Sequence, residues 1–330
     1  MRALASIQRI RTLQPIRGAD AIEAATVLGW QLVVKKGEFQ VGDLAVYCEV
    51  DSILPARPEF AFLQARGMRI RTVRLRGEIS QGICFPLSIL PAGVECAEGT
   101  DVTAILGVSK YEPPMPANLA GVVKGAFPGF IPKTDETRVQ VLQEVLDEYA
   151  GTACYVTEKL DGSSVTYYLR DGEFGVCSRN LELLESEQNS LWNVARALGV
   201  EEKLRARGGN LALQGEIIGE GIQGNLYALR GHRVSFFNVF DIDRYRFFDF
   251  VELVDVLRGM DLPMVPVLES DYRLENDIPI LVRKSMGTSS LHHVEREGIV
   301  IRPLNEARST ALGRVSFKAI SPEFLLKHDH

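Results

Sequence analysis

The chain has 330 residues, 46% of them apolar and 24% charged, and carries a net charge of −6. That length buries a large core and predicts about two domains; no apolar run approaches the ~20 residues of a membrane-spanning helix. The acidic balance argues against a protein that coats nucleic acid indiscriminately, but it permits a local basic track. The start, Met1 to Ser6, lacks the long apolar region of a signal peptide, so a cytoplasmic protein is expected. Cys48, Cys84, Cys96, Cys154 and Cys177 form no C-x-x-C pair, which predicts buried free thiols rather than a zinc site or disulfides.

In chain order, residues 31–35 and 43–50 read as strands, the second alternating Leu44, Val46, Cys48 and Val50 in period two. Residues 69–76 and 82–86 add two more strands around Gly77. Short strands at this spacing predict a small barrel over residues 1–115. Arg66, Arg69, Arg71, Arg74 and Arg76 would give it a basic track for phosphates along a duplex. Residues 116–133, punctuated by Pro116, Pro128 and Pro132, predict a non-helical linker. A helix is expected from about 134, capped by Thr134 or Asp135, with Val139, Leu142, Val145 and Leu146 on its apolar face. Beyond it the pattern is mixed. Strands are predicted over 165–169, 175–178, 211–218, 234–240, 298–301 and 315–319, and helices over 189–198 and 250–257.

The chemistry centres on Glu158-Lys159-Leu160-Asp161-Gly162, entered from a strand-like run at Ala153. A lysine at such a corner is partly desolvated, which lowers an amine's pKa and exposes a nucleophile. Attack on a nucleotide α-phosphate would make the chain a covalent nucleotidyltransferase. A lone K-x-D-G is a weak signal, but five further segments follow in order: Ser178-Arg179-Asn180, Gly215-Glu216-Ile217-Ile218-Gly219, Asn238-Val239-Phe240-Asp241-Ile242, Glu297-Gly298-Ile299-Val300-Ile301-Arg302 and Ser316-Phe317-Lys318-Ala319-Ile320. A carboxylate at 216 flanked by Leu211, Leu213, Ile217 and Ile218 would be costly to bury unpaired, which favours a functional role.

Taken together, these segments resemble the motifs of the covalent nucleotidyltransferases, and most closely the ATP-dependent RNA ligases of the Deinococcus type with an N-terminal OB domain. The resemblance spans nearly the whole chain. It implies an α+β protein: an OB-like β-barrel at 1–115, a Pro-rich linker at 116–133, and an ATP-grasp-like adenylyltransferase domain of antiparallel sheets with flanking helices at 134–330. Lys159 would carry AMP, with Asp161 orienting it and Lys318 contacting the α-phosphate. Glu158, Leu160, Gly162, Arg179, Glu216 and Phe240 would bind the nucleotide. Glu158 would accept from the adenine amino group, and Phe240 would stack on the base. Glu297 and Glu216 would hold a magnesium or manganese ion, since hard cations take oxygen ligands.

The implied substrate is a nicked duplex with RNA on the 3′-hydroxyl side, and no membrane is involved. DNA ligases and capping enzymes usually carry their OB domain after the last motif, whereas here only a short segment follows Lys318. Two positions depart from common patterns: Ile320 stands where many relatives have a second lysine, and Ser164 where some phage relatives have Asn. Two other readings stay open. A non-catalytic RNA-binding protein on a ligase-like core is opposed by the intact Lys159, Glu216, Glu297 and Lys318. A GTP-using capping-type enzyme would be told apart by the nucleotide that labels the lysine.

Overall fold

A computed structural model describes residues 3–112 and 117–328. The chain divides into two units, Met1–Pro113 with Pro322–His330, and Pro114–Ser321. Among the described residues no helix is long and apolar enough to cross a membrane.

The first unit is a five-stranded antiparallel sheet in the order β3-β2-β1-β4-β5, made of β1 (Ala5–Pro15), β2 (Ile22–Val27), β3 (Trp30–Lys35), β4 (Leu44–Cys48) and β5 (Ile83–Phe85). The first two of these strands were not anticipated. A bulge between Ile10 and Thr12 bends β1, so that Ala5–Arg9 pair with β4 and Ile10–Pro15 with β2. Bends of this kind let a small sheet curl towards a barrel. Trp30, Leu32, Ile7, Ile10 and Tyr47 are buried in this unit.

Residues 69–76 do not form one strand. Arg69 makes a single bridge to Ile53, and Val73–Leu75 pairs with Glu78–Ser80 across the Arg76-Gly77 turn. Arg69 is buried against Asp51 at 2.9 Å and stacks 3.7 Å above the Tyr111 ring, and Arg74 pairs with Glu323. The expected basic track therefore spends two of its arginines on internal contacts. Glu323 belongs to the C-terminal helix Pro322–His328, whose Phe324 is buried. Four cysteines are buried and Cys96 is exposed; burial pushes the Cys48 and Cys154 thiols up to about 12.

The second unit holds two large sheets and a small hairpin of Arg308–Ser309 with Gly313–Arg314. The larger runs β6-β11-β10-β9-β12-β13-β14. Its strands are β6 (Val123–Ala126), β9 (Ser163–Arg170), β10 (Glu173–Cys177), β11 (Leu181–Leu183), β12 (Leu211–Gly219), β13 (His232–Asp241) and β14 (Arg246–Phe247). The smaller runs β7-β17-β16-β8-β15, with β7 (Thr137–Arg138), β8 (Ala153–Lys159), β15 (Val267–Arg273), β16 (Gly298–Pro303) and β17 (Phe317–Ile320). All pairs are antiparallel except β7 with β17. Four helices matter below: α1 (Ser190–Ala197), α2 (Val200–Arg207), α3 (Phe250–Gly259) and α4 (Ile278–Ser285). Asn189 caps α1, and an Asp249/Glu252 capping box starts α3.

The region read as a linker is partly regular. Ala117–Ala120 makes one helical turn, and β6 pairs with β11 at the sheet edge. The helix expected from 134 begins only at Gln143, without a side-chain cap. Backbone pairing of β7 with β17 wins over local helix signals there. Thr134 bonds Ser164 and Asp135 pairs with Arg179, so neither is left to cap a helix. The four apolar residues of the expected face are nevertheless buried, in one core with Val156, Ile299, Ile301 and Phe317.

Candidate active site

Strand parity sorts the site. On β12, Leu211, Leu213, Gly215 and Ile217 share a face with Val165, Tyr167, Phe236 and Val239, and this face packs under α1, α2 and α3. The opposite face carries three rows across β9, β12 and β13: Ser164-Glu216-Ser235, Thr166-Gln214-Asn238 and Tyr168-Ala212-Phe240. Glu216 therefore does not lie among the leucines beside it in sequence; alternation turns it away from them. In the smaller sheet, Cys154, Val156, Ile299, Ile301, Phe317 and Ala319 join the apolar core. The other face presents Lys159-Gly298-Ile320, Thr157-Val300-Lys318 and Tyr155-Arg302 as rows.

At the end of β8, Lys159 Nζ donates to Glu297 Oε2 at 2.6 Å, with the two side chains 23% and 15% exposed. Gly298, next to Glu297, pairs with Lys159, so the sheet register itself brings the Lys159 amine to the Glu297 carboxylate. Asp161 N donates to the Tyr227 hydroxyl at 2.8 Å, fixing the turn after the lysine. A Cβ on Gly162 would collide with the Ile217 carbonyl oxygen and crowd the Glu216 side chain. This glycine thus admits β12 close to the turn, which draws Glu216 towards Lys159.

Family comparisons agree with this layout. A family model for RNA ligase matches residues 152–320, and one for an OB-fold domain matches residues 4–87. An apo aspartate variant of the Naegleria gruberi RNA ligase is 41% identical with a TM-score of 0.92, covering 99% of this chain and 98% of that one. The chain belongs to the ATP-dependent RNA ligase family. A lysine variant of the Naegleria enzyme with ATP and Mn (41% identical, TM-score 0.92) and one with AMP and Mn (41%, 0.93) each cover 99% of both chains. No curated protein matches.

The electrostatics of the ligase correct one expectation. Burial does pull the Lys159 amine down, but the carboxylates of Glu297, Glu216 and Asp161 outweigh it and hold the amine above the ordinary lysine value. In the bare protein this lysine keeps its proton. Burial, against the pull of Lys159 and with Glu297 and Asp161 adding to it, pushes Glu216 up to about 8. Burial and Glu297 likewise push Asp161 up. Among the described residues no group of three or more carboxylate, histidine or cysteine side chains forms a metal cage. Crowded carboxylates with raised pKa values still suit a cation whose remaining ligands are water and phosphate oxygens, as magnesium-type sites prefer.

The other expected residues fall in different settings. Glu158 is buried, its Oε2 accepts from Ser290 N at 2.8 Å, and its Oε1 has no partner among the described residues. The Leu160 side chain sits in a small core with Ile218, Tyr227 and Val265, so only its backbone borders the site. Arg179 is paired with Asp135. Lys318 is partly exposed on the face of Lys159, whereas Ile320, in the same row as Lys159, is buried.

Phe240 lies fully enclosed, edge-on to Phe247 and Tyr245 in a core with Ile131 and Tyr168. It has no free face for a base. Phe237 is partly exposed, packs beside the Leu160 and Tyr227 core, and has the Arg302 guanidinium 5.7 Å from its ring centroid. It occupies the bulge between Gln214↔Asn238 and Gly215↔Phe236, and a bulge of this kind is invisible to period-two counting. Tyr227 also went unread, since nothing local marks a tyrosine whose hydroxyl meets a turn 66 residues away. Arg302 is buried, donates to Ser316 and Glu136, and keeps Nη1 without a partner among the described residues.

Proposed function

We propose that this ligase joins RNA ends through a lysyl-AMP intermediate on Lys159. The carrying observation is the Lys159–Glu297 pair, set by strand register and flanked by Glu216 and Asp161. Structures of the Naegleria enzyme support the reading. They include variants of a lysine and of an aspartate two positions later, the spacing of Lys159 and Asp161, and complexes with ATP and with AMP and Mn.

In the first step Lys159 gives up its proton, its amine bonds to the α-phosphorus of ATP, and pyrophosphate leaves. An oxygen of an RNA 5′-phosphate then attacks that phosphorus, and the P–N bond breaks. Finally a 3′-hydroxyl attacks the activated 5′-phosphate, giving a phosphodiester and AMP. Glu216 and Glu297 would hold a divalent cation, which supplies positive charge at the phosphate oxygens and offsets the carboxylates that hold the lysine's proton. Glu158 Oε1 accepts from the adenine amino group, Phe237 is the better placed ring for the base, and Lys318 offsets charge at the α-phosphate. Arg179, released from Asp135, binds phosphate or ribose with its planar fork.

The substrate we assign is a nicked duplex with a ribonucleotide at the 3′-hydroxyl side. Buried free thiols at Cys48, Cys84, Cys154 and Cys177 suit a reducing, cytoplasmic setting. The test is labelling with ATP carrying ³²P at the α-phosphate. The wild type should retain label and Lys159→Ala should not; label on Lys159→Ala, or a wild type labelled by GTP alone, defeats the proposal. Sealing assays on nicked duplexes, with ribose and deoxyribose exchanged at each side of the nick, decide the substrate.

A further inference from the structure

We propose that Arg296 is a positioning residue for base recognition, acting on Glu158 through the hairpin of residues 286–297. This rests on the assignment of Glu158 to the adenine amino group. Arg296 gathers three backbone carbonyls at the C-terminal end of α4: Nε donates to Ser285 O at 3.0 Å, and Nη2 donates to Lys284 O at 2.8 Å and to Met286 O at 2.6 Å. Helix carbonyls at this end lack intrahelical partners and carry partial negative charge, so a guanidinium is the natural anchor.

From that anchor the hairpin closes by backbone bonds, Arg296 N to Gly287 O at 2.9 Å and Ser289 N to Val294 O at 2.8 Å. A Thr288↔Glu295 bridge lies between them. Near its tip Ser290 N donates to Glu158 Oε2 at 2.8 Å, the one hydrogen bond described for that buried carboxylate. Gly287 is shaped for the anchor: its φ is +135°, and a Cβ there would lie 3.1 Å from Arg296 Nη2.

One oxygen of Glu158 is thus fixed by the hairpin, and the other has no partner among the described residues. A carboxylate held by one oxygen presents the second in a fixed direction, and loss of the anchor lets both oxygens drift.

The test compares ATP with purine riboside triphosphate, which lacks the 6-amino group, as substrates for lysyl-nucleotide formation by the full-length protein. A hydrogen bond to a charged acceptor predicts that the wild type favours ATP about tenfold in kcat/KM. In Arg296→Lys, which cannot reach three carbonyls, that preference should fall to about twofold or less. The KM for ATP should rise about tenfold while kcat stays within about threefold. Methylguanidinium should restore the preference in Arg296→Ala.

A variant that keeps the wild-type preference while its melting temperature or kcat falls overturns the inference and leaves Arg296 as plain scaffolding. A wild type with no preference overturns the Glu158 assignment instead, and this inference with it. Should the arginine variants not fold, Gly287→Ala leaves Arg296 in place while crowding it, and the same two outcomes apply.

Discussion

Replacing Glu216 with glutamine should stabilise the ligand-free protein while removing its activity. Glu216 is pushed up to about 8 from an ordinary 4.5, chiefly by burial. Between those values the folded chain binds a proton that the unfolded chain has released. Stability carried by this group is therefore complete below about pH 4.5 and is lost as pH rises towards 8. At ~1.4 kcal/mol per pH unit, the ceiling of the penalty at pH 7 is ~3 kcal/mol. Glu216 is partly exposed and faces Lys159, so screening reduces the figure to ~1–2 kcal/mol. That corresponds to a melting temperature about 3–6 °C higher for Glu216→Gln. The assay is thermal unfolding in EDTA at pH 5 and pH 8, with lysyl-AMP formation measured in parallel. The gap between variant and wild type should be small at pH 5 and wide at pH 8. A gap equal at both pH values, or a variant less stable at pH 8, would refute the reasoning.

Phe237→Ala should raise the KM for ATP about tenfold with little change in melting, whereas Phe240→Ala should cost ~3–5 kcal/mol of stability as an enclosed ring is lost; nucleotide titrations and denaturant curves on both variants separate the two roles. Gly162→Ala should lower stability by ~1–3 kcal/mol through overpacking against Ile217, and lysyl-AMP formation should fall more than tenfold because Glu216 is displaced. Ile320→Lys should not behave as a restored motif. It places an ammonium at a site 2% exposed, so unfolding midpoints should drop by at least ~2 kcal/mol with no gain in adenylylation rate.

Much of the candidate site was legible because its motifs lie within or beside strands. Lys159, Glu216, Glu297 and Lys318 each occur in an apolar run whose alternation predicts a strand, and register then brings Lys159 to Glu297. What period-two counting cannot carry is a register shift. The bulge at Phe237 takes a second aromatic ring of β13 out of the alternation, so period-two counting does not place it.

Protonation was misread for a related reason. Desolvation of Lys159 can be guessed from a strand end, but the three carboxylates that outweigh it come from three places in the chain. In the first unit, β1 was missed because Gln8, Arg9, Arg11 and Thr12 break its apolar pattern where the strand bends. The arginines of residues 66–76 looked like a surface track because nothing local marks Asp51 and Tyr111 as the partners of Arg69.

The barrel unit is assembled from both ends of the described chain, with Glu323 and Phe324 belonging to it. During synthesis its strands emerge first, and its closing helix emerges only after the whole adenylating unit has been made. The barrel therefore waits, incomplete, while its neighbour folds. A truncation or tag that disturbs Pro322–His328 should reach the barrel unit rather than the catalytic sheets, although Lys318 lies only a few residues away along the chain.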